Sequence, residues 1–74
     1  MTMRQPTGAS NLEYDLVATM HKLLEGNAAL EQYMEDARQA SDTEAEDCFR
    51  RIHNTNHQNI AALRSMLAKR FAQG

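Results

Sequence analysis

The sequence predicts an all-α fold: an antiparallel hairpin of two amphipathic helices that dimerises into a four-helix bundle. Apolar residues recur every three to four positions from Leu12 to Phe71, which is the period of a helix and not of a strand. Three helix-capping residues, Ser41-Asp42-Thr43, lie near the middle of this pattern. A chain of 74 residues is too short for two helices to bury a stable core alone.

The first helix is predicted to cover about 11–40. Ser10 followed by Glu13 fits a capping box, in which each side chain accepts a hydrogen bond from a free backbone N–H. The preceding residues, 1–10, are predicted to be a disordered leader. Gly26 weakens the helix by about 1 kcal/mol relative to Ala, and it is either a point of close approach by another helix or simply tolerated. The apolar stripe of this helix consists of Leu12, Leu16, Met20, Leu23, Leu24, Leu30, Met34 and Ala37.

The turn is predicted at about 41–43, and the second helix at about 44–72. A single helix of about 60 residues, roughly 90 Å long, is the alternative, because no Gly or Pro breaks the segment. The available capping boxes favour the turn, and they are Ser41 with Glu44 and Thr43 with Glu46. The apolar stripe of the second helix consists of Ala45, Phe49, Ile52, Ile60, Leu63, Leu67 and Phe71.

The composition excludes several classes of protein. The formal net charge is -2 with acids and bases interspersed, whereas a nucleic-acid-binding domain carries a basic face. No apolar run is long enough to span a membrane. Cys48 is the single cysteine and cannot form a disulfide within the chain, which predicts a reducing, cytoplasmic setting, with a disulfide between two chains as the alternative. Acidic neighbours do not activate its thiolate.

Polar residues fall within the apolar stripes of both helices at mid-height. Asn27 and Glu31 of the first helix meet His53, Asn56 and His57 of the second when the chain folds at the turn. One interpretation is a polar layer that satisfies itself by hydrogen bonds and fixes the register of the helices. Another is a metal site with Glu31, His53 and His57 as ligands, holding a transition metal such as iron or zinc at the dimer interface. In a third, the hairpin is rotated and these residues are exposed.

The chain resembles the ferritin-like superfamily, in particular the helical hairpin of rubrerythrin-like and encapsulated-ferritin-like proteins. In those proteins a short acidic turn precedes a helix with Glu-x-x-His and then aliphatic residues, and another helix carries a glutamate. The segments that carry the resemblance are Asp42-Thr43-Glu44, Phe49-Arg50-Arg51-Ile52, Asn54-Thr55-Asn56-His57 with Ile60 and Leu63, and Glu31 with Tyr33.

The resemblance implies pairing of hairpins and a metal site between subunits. His57 matches the family's histidine, and Glu31 or Glu25 matches its first-helix glutamate. Asn54 stands where the family has a bridging glutamate. Because di-iron sites rely on bridging carboxylates, the resemblance implies either a mononuclear site or a hairpin that keeps the fold without the metal.

Three functions are therefore consistent with the sequence. The first is a self-associating hairpin with a structural or protein-interaction role. The second is a metal-binding, iron-related, oxidoreductase-like protein with a Glu/His site at the subunit interface. The third is an adaptor or chaperone hairpin that pairs with another protein.

Overall fold

The computed structural model describes residues 11–73 and shows a hairpin of two α-helices. Helix α1 covers Asn11–Gln39 and helix α2 covers Thr43–Gln73, and they pack against each other over their length. The predicted all-α hairpin is confirmed, and the alternative of one long helix is wrong. The predicted leader, 1–10, and its capping residue Ser10 lie outside the described residues. Neither of the two described helices has an apolar stretch of the length needed to cross a membrane.

The link between the helices is a tight turn at residues 40–42. Ser41 adopts a left-handed backbone conformation with φ 58°. Its N–H donates a hydrogen bond to the carbonyl of Arg38 at 3.0 Å, and the N–H of Asp42 donates to that of Ala37 at 2.9 Å. This pair of bonds is a Schellman motif, which satisfies the last carbonyls of a helix and ends it.

Asp42 caps the second helix. Its Oδ1 accepts a hydrogen bond from the backbone N–H of Ala45 at 3.0 Å. The capping residue is thus Asp42 and neither Ser41 nor Thr43, and the turn lies one residue earlier than predicted. Because Ser41 occupies the left-handed position after α1, the next residue is the first with a side chain placed to cap α2.

Ion pairs join the two helices beside this turn. Glu46 accepts hydrogen bonds from Arg38 at 3.0 Å and from Arg50 at 2.8 Å. Arg38 also pairs with Glu35 on its own helix. The Glu46 side chain is only 16% exposed, so the two guanidinium groups neutralise a largely shielded carboxylate.

The apolar core of the hairpin is thin. Four apolar residues are buried, Leu30 and Ala37 from α1 and Ile60 and Leu67 from α2. Within residues 11–73 no side chain is completely shielded from solvent. The exposed large apolar residues are Leu12, Tyr14, Val17, Leu24, Tyr33, Ile52, Met66 and Phe71.

The hairpin has two broad faces. One carries a groove that we call the histidine groove, and the other carries a surface of small and apolar residues, bordered by the charged residues Lys22, Asp36 and Asp42, that we call the tyrosine face. Near the turn, Tyr33 and Ala45 line a shallow depression on the tyrosine face, and the ring of Tyr33 lies 5.7 Å from that of Phe49. Residues seven apart lie on nearly the same line of a helix. The tyrosine face therefore extends over Gly26, Ala29 and Tyr33 on α1 and over Ala45, Ile52 and Met66 on α2.

Candidate functional site

Asn27 is the buried polar residue among those that the structure describes. It is 7% exposed, and its Nδ2 donates a hydrogen bond to the backbone carbonyl of His53 at 3.2 Å. Its Oδ1 is buried and accepts no hydrogen bond from the described residues. A buried carbonyl oxygen without a donor costs about 1–3 kcal/mol, so this atom is a candidate contact for a further group.

Glu31 and His53 form the second polar contact between the helices. The Nε2 of His53 lies 3.1 Å from the Oε2 of Glu31, the distance of a hydrogen bond in which the ring N–H donates to the carboxylate. The His53 side chain is 22% exposed, whereas that of Glu31 is 67% exposed. The pair is therefore half in the core and half in solvent. The predicted meeting at one level is confirmed for Asn27, Glu31 and His53, whereas Asn56, predicted in the same layer, is not one of the residues that line the cleft beside this pair.

The histidine groove surrounds this pair. Its volume is about 340 Å³, and it is open to solvent on one side. It brings imidazole, carboxylate, amide and guanidinium groups to one place between the helices. Its lining consists of Leu24, Asn27, Ala28, Glu31, His53, His57, Ile60 and Arg64.

All three predicted metal ligands line this groove, but they do not form a closed site. Glu31 and His53 are in contact, and His57 is an exposed residue one helical turn further along α2. In the part of the chain that the structure describes, no group of three or more His, Cys, Asp or Glu residues has the arrangement needed to hold a metal ion. One hairpin therefore supplies a pair of adjacent donor atoms and not a complete coordination sphere.

The pair has a separation close to that of two ligands on one ion. A tetrahedral zinc ion with bonds of about 2.0–2.2 Å places neighbouring ligand atoms about 3.3 Å apart. The observed 3.1 Å between Glu31 and His53 differs from this by a few tenths of an ångström.

Arg64 is a groove residue that the sequence interpretation missed. It lies seven residues after His57 and four after Ile60, so it continues the same line of α2. That spacing was the feature of the sequence from which its position in the groove could have been predicted. Its guanidinium contributes a positive charge to a groove that otherwise holds the Glu31 carboxylate and two imidazoles.

His21 is the histidine that stands apart. Its Nε2 lies 3.3 Å from Glu25 on the same helix, and both side chains are 69% exposed. This surface pair repeats the Glu31–His53 chemistry without the burial. It therefore offers an internal control for experiments on the groove.

Fold and groove together define an all-α helical hairpin with a small cleft between its helices, lined by both apolar and polar side chains. Comparisons with protein-family models, with curated proteins and with solved structures gave no match. The resemblance to the ferritin-like superfamily stays a prediction.

Proposed function

We propose that the chain is a self-associating helical hairpin with a structural or protein-interaction role, in which two copies form a four-helix bundle. The observation that carries the proposal is the imbalance between buried and exposed apolar residues. Among the residues that the structure describes, four apolar ones are buried, whereas eight large ones are at least 43% exposed. Burying one such side chain contributes about 1.5–3 kcal/mol, so covering several of them gives a marginal hairpin the stability it lacks.

A second copy supplies the cover that two helices cannot supply themselves. Antiparallel hairpins stack face to face into four-helix bundles, in which each apolar stripe is shared by two subunits. A closed twofold dimer is the commonest arrangement of identical chains. The product is a compact subunit assembly whose function is to be a scaffold or a binding surface.

Light scattering and thermal melts test this proposal. We expect a molecular mass of twice the 8.4 kDa of one chain at micromolar concentration. We also expect a melting temperature that rises with protein concentration, because dissociation accompanies unfolding. A folded monomer with a concentration-independent melt contradicts self-association. A monomer that folds only on adding another protein contradicts it as well and favours the adaptor function.

Metal binding in the histidine groove is the second candidate function. It is favoured by the adjacent donor atoms of Glu31 and His53, and by the buried Oδ1 of Asn27 in the same groove, which has no hydrogen-bond partner among the described residues. His57 is the proposed third ligand, and the residue types suit zinc or iron. A bound ion supplies a Lewis acid or redox centre. The chain itself contributes the orientation of His53, whose backbone carbonyl is held by Asn27.

Elemental analysis of tag-free protein tests the metal proposal. We expect stoichiometric zinc or iron after reconstitution, and a melting temperature that falls when a chelator is added. His53→Ala is expected to abolish binding, whereas His21→Ala, which removes the exposed histidine outside the groove, leaves it unchanged. Absence of stoichiometric metal after reconstitution with zinc, iron, nickel and copper contradicts this function. If His53→Ala and His21→Ala lose the same amount of bound metal, binding is not specific to the groove.

A further inference from the structure

We propose that the tyrosine face is the surface through which two copies of this chain pair, about a twofold axis that passes beside Ala29. This inference rests on the proposed self-association and specifies its geometry. In it, α1 packs antiparallel against α1 of the second copy, and α2 against its α2. The histidine groove stays on the outside of the bundle.

Gly26 marks a position that the single hairpin leaves open. Glycine in the middle of a helix weakens it, so its presence needs a reason. The reason does not lie within the hairpin, because a Cβ built on Gly26 has no neighbouring atom within 4 Å. Gly26 nevertheless lies on the tyrosine face, three residues before Ala29. The absent side chain is a depression on the surface that a partner's side chain can fill.

The second copy is the partner whose chemistry fits this surface. Lys22 and Asp36 lie on the same line of α1, seven residues to either side of Ala29. A twofold axis at Ala29 therefore places Lys22 of each chain opposite Asp36 of the other chain, which gives two such contacts in the dimer. The same operation places the 47% exposed Tyr33 ring of one copy over Gly26 of the other, since these residues lie four and three positions from the axis. Charge and shape are both self-complementary.

Helix α2 repeats this symmetry independently. Three pairs of residues on its tyrosine-face edge share one midpoint, between Thr55 and Asn56, and they are Ala45 with Met66, Cys48 with Leu63, and Ile52 with Asn59. In two of these pairs a small residue, Ala45 or Cys48, faces a larger one, and the exposed Ile52 and Met66 become covered. The Glu31–His53 and Tyr33–Phe49 contacts put Ala29 level with about residue 54 of α2. Both helices therefore place the axis at the same height to within two residues.

The opposite face is a poorer surface for pairing. The histidine groove contains Leu24, Ala28 and Ile60 but also Glu31, Arg64 and two imidazoles, and these polar groups lose hydration if a second hairpin covers them without pairing with them. Pairing through the tyrosine face leaves these groups in contact with solvent and accessible to a ligand. It differs from the sequence-based prediction, which put the Glu/His site at the subunit interface.

Charge reversal tests the lysine–aspartate contacts. Lys22→Glu or Asp36→Lys alone turns two attractive contacts per dimer into repulsive ones, and we expect each to weaken the dimer about tenfold in sedimentation experiments. The double variant restores the contacts with reversed signs and is expected to regain the parent affinity. If the double variant dimerises no more tightly than the single variants, the proposed pairing is overturned.

Disulfide trapping tests the axis itself and separates this inference from self-association. In a Cys48→Ser background, we expect the cysteine of Ala29→Cys to form a disulfide with the same cysteine of the second chain under mild oxidation. Ala28→Cys, the neighbouring position that lines the histidine groove, is the matched control and is expected to remain uncross-linked. A parent protein that is dimeric by light scattering but cross-links faster through position 28 overturns the tyrosine-face axis and leaves self-association standing. A monomeric parent overturns both.

Discussion

The carboxamide of Asn27 reaches across the hairpin and donates a hydrogen bond to the backbone carbonyl of His53, 3.2 Å away. This bond ties a side chain of α1 to the backbone of α2, so it fixes the height of one helix relative to the other. The same carboxamide leaves its oxygen buried with no donor among the described residues. Register is thus specified at a cost in stability, as buried asparagines do in coiled coils.

Replacing this amide by a leucine is expected to stabilise the protein. Asn27→Leu loses one hydrogen bond, about 1 kcal/mol, but removes the unpaired acceptor and adds buried apolar surface. We expect the free energy of unfolding in urea to rise by about 1 kcal/mol at fixed protein concentration. Asn27→Ala, which removes the amide without filling its space, is expected to lower it by about 1–2 kcal/mol. A destabilised Asn27→Leu variant indicates that a bound group or a second copy satisfies Oδ1.

Ser41→Gly is expected to stabilise the turn. A φ of 58° places the Ser41 Cβ close to its own backbone, a strain that glycine does not have. Relief of about 1–2 kcal/mol of strain is partly offset by the larger backbone entropy that glycine loses on folding, about 0.5–1 kcal/mol, so we expect a net gain of roughly 0.5–1 kcal/mol in the free energy of unfolding. Ser65→Gly, in the right-handed backbone of α2, is the control and is expected to cost roughly 0.5 kcal/mol. Equal effects of the two substitutions contradict the left-handed assignment.

Asp42→Ala is expected to lower the free energy of unfolding by about 1 kcal/mol. The substitution removes the acceptor for the backbone N–H of Ala45 and leaves the first turn of α2 without its cap. Asp42→Asn keeps an oxygen acceptor in the same place and is expected to retain most of the stability. If both variants lose the same amount, the negative charge and not the hydrogen bond is what matters.

Glu46→Gln is expected to weaken the turn end of the hairpin by about 0.5–1 kcal/mol at low salt. Its carboxylate serves both Arg38 and Arg50, and those partners are 57% and 45% exposed, so solvent screens much of the attraction. We expect the loss to shrink as salt is raised. Glu44→Gln removes a charge from the same helical turn and is the control, since the difference between the two isolates the ion pairs. A salt-independent loss at Glu46 points to packing instead.

The period of the apolar residues was sufficient to predict the helices and their pairing. It placed the buried residues Leu30 and Ala37, and Ile60 and Leu67, within the predicted stripes. It also brought Asn27, Glu31 and His53 to one level, because antiparallel packing at 1.5 Å per residue leaves little freedom in height.

The details that the sequence did not predict depend on local backbone geometry and on exposure. Residue type favoured capping boxes at Ser41 and Thr43. Because Ser41 adopts a left-handed conformation, Asp42 caps the second helix instead. Ile52 and Phe71 belong to the predicted stripe yet are 46% and 64% exposed. One neighbouring helix can bury only part of a wide apolar stripe. The period of the apolar residues does not show which part stays exposed.

The strained serine at the bend has a further consequence for how chains combine. The apolar stripe stays in phase through residues 40–42, so the bend can straighten into one continuous helix without displacing the stripe. Straightening releases the Ser41 strain, about 1–2 kcal/mol, and gives up the Schellman bonds and the Asp42 cap. Two straightened chains can then exchange their second helices and remake the α1–α2 packing between molecules. We therefore expect a domain-swapped assembly, if one forms, to differ from the self-contained hairpin at this bend.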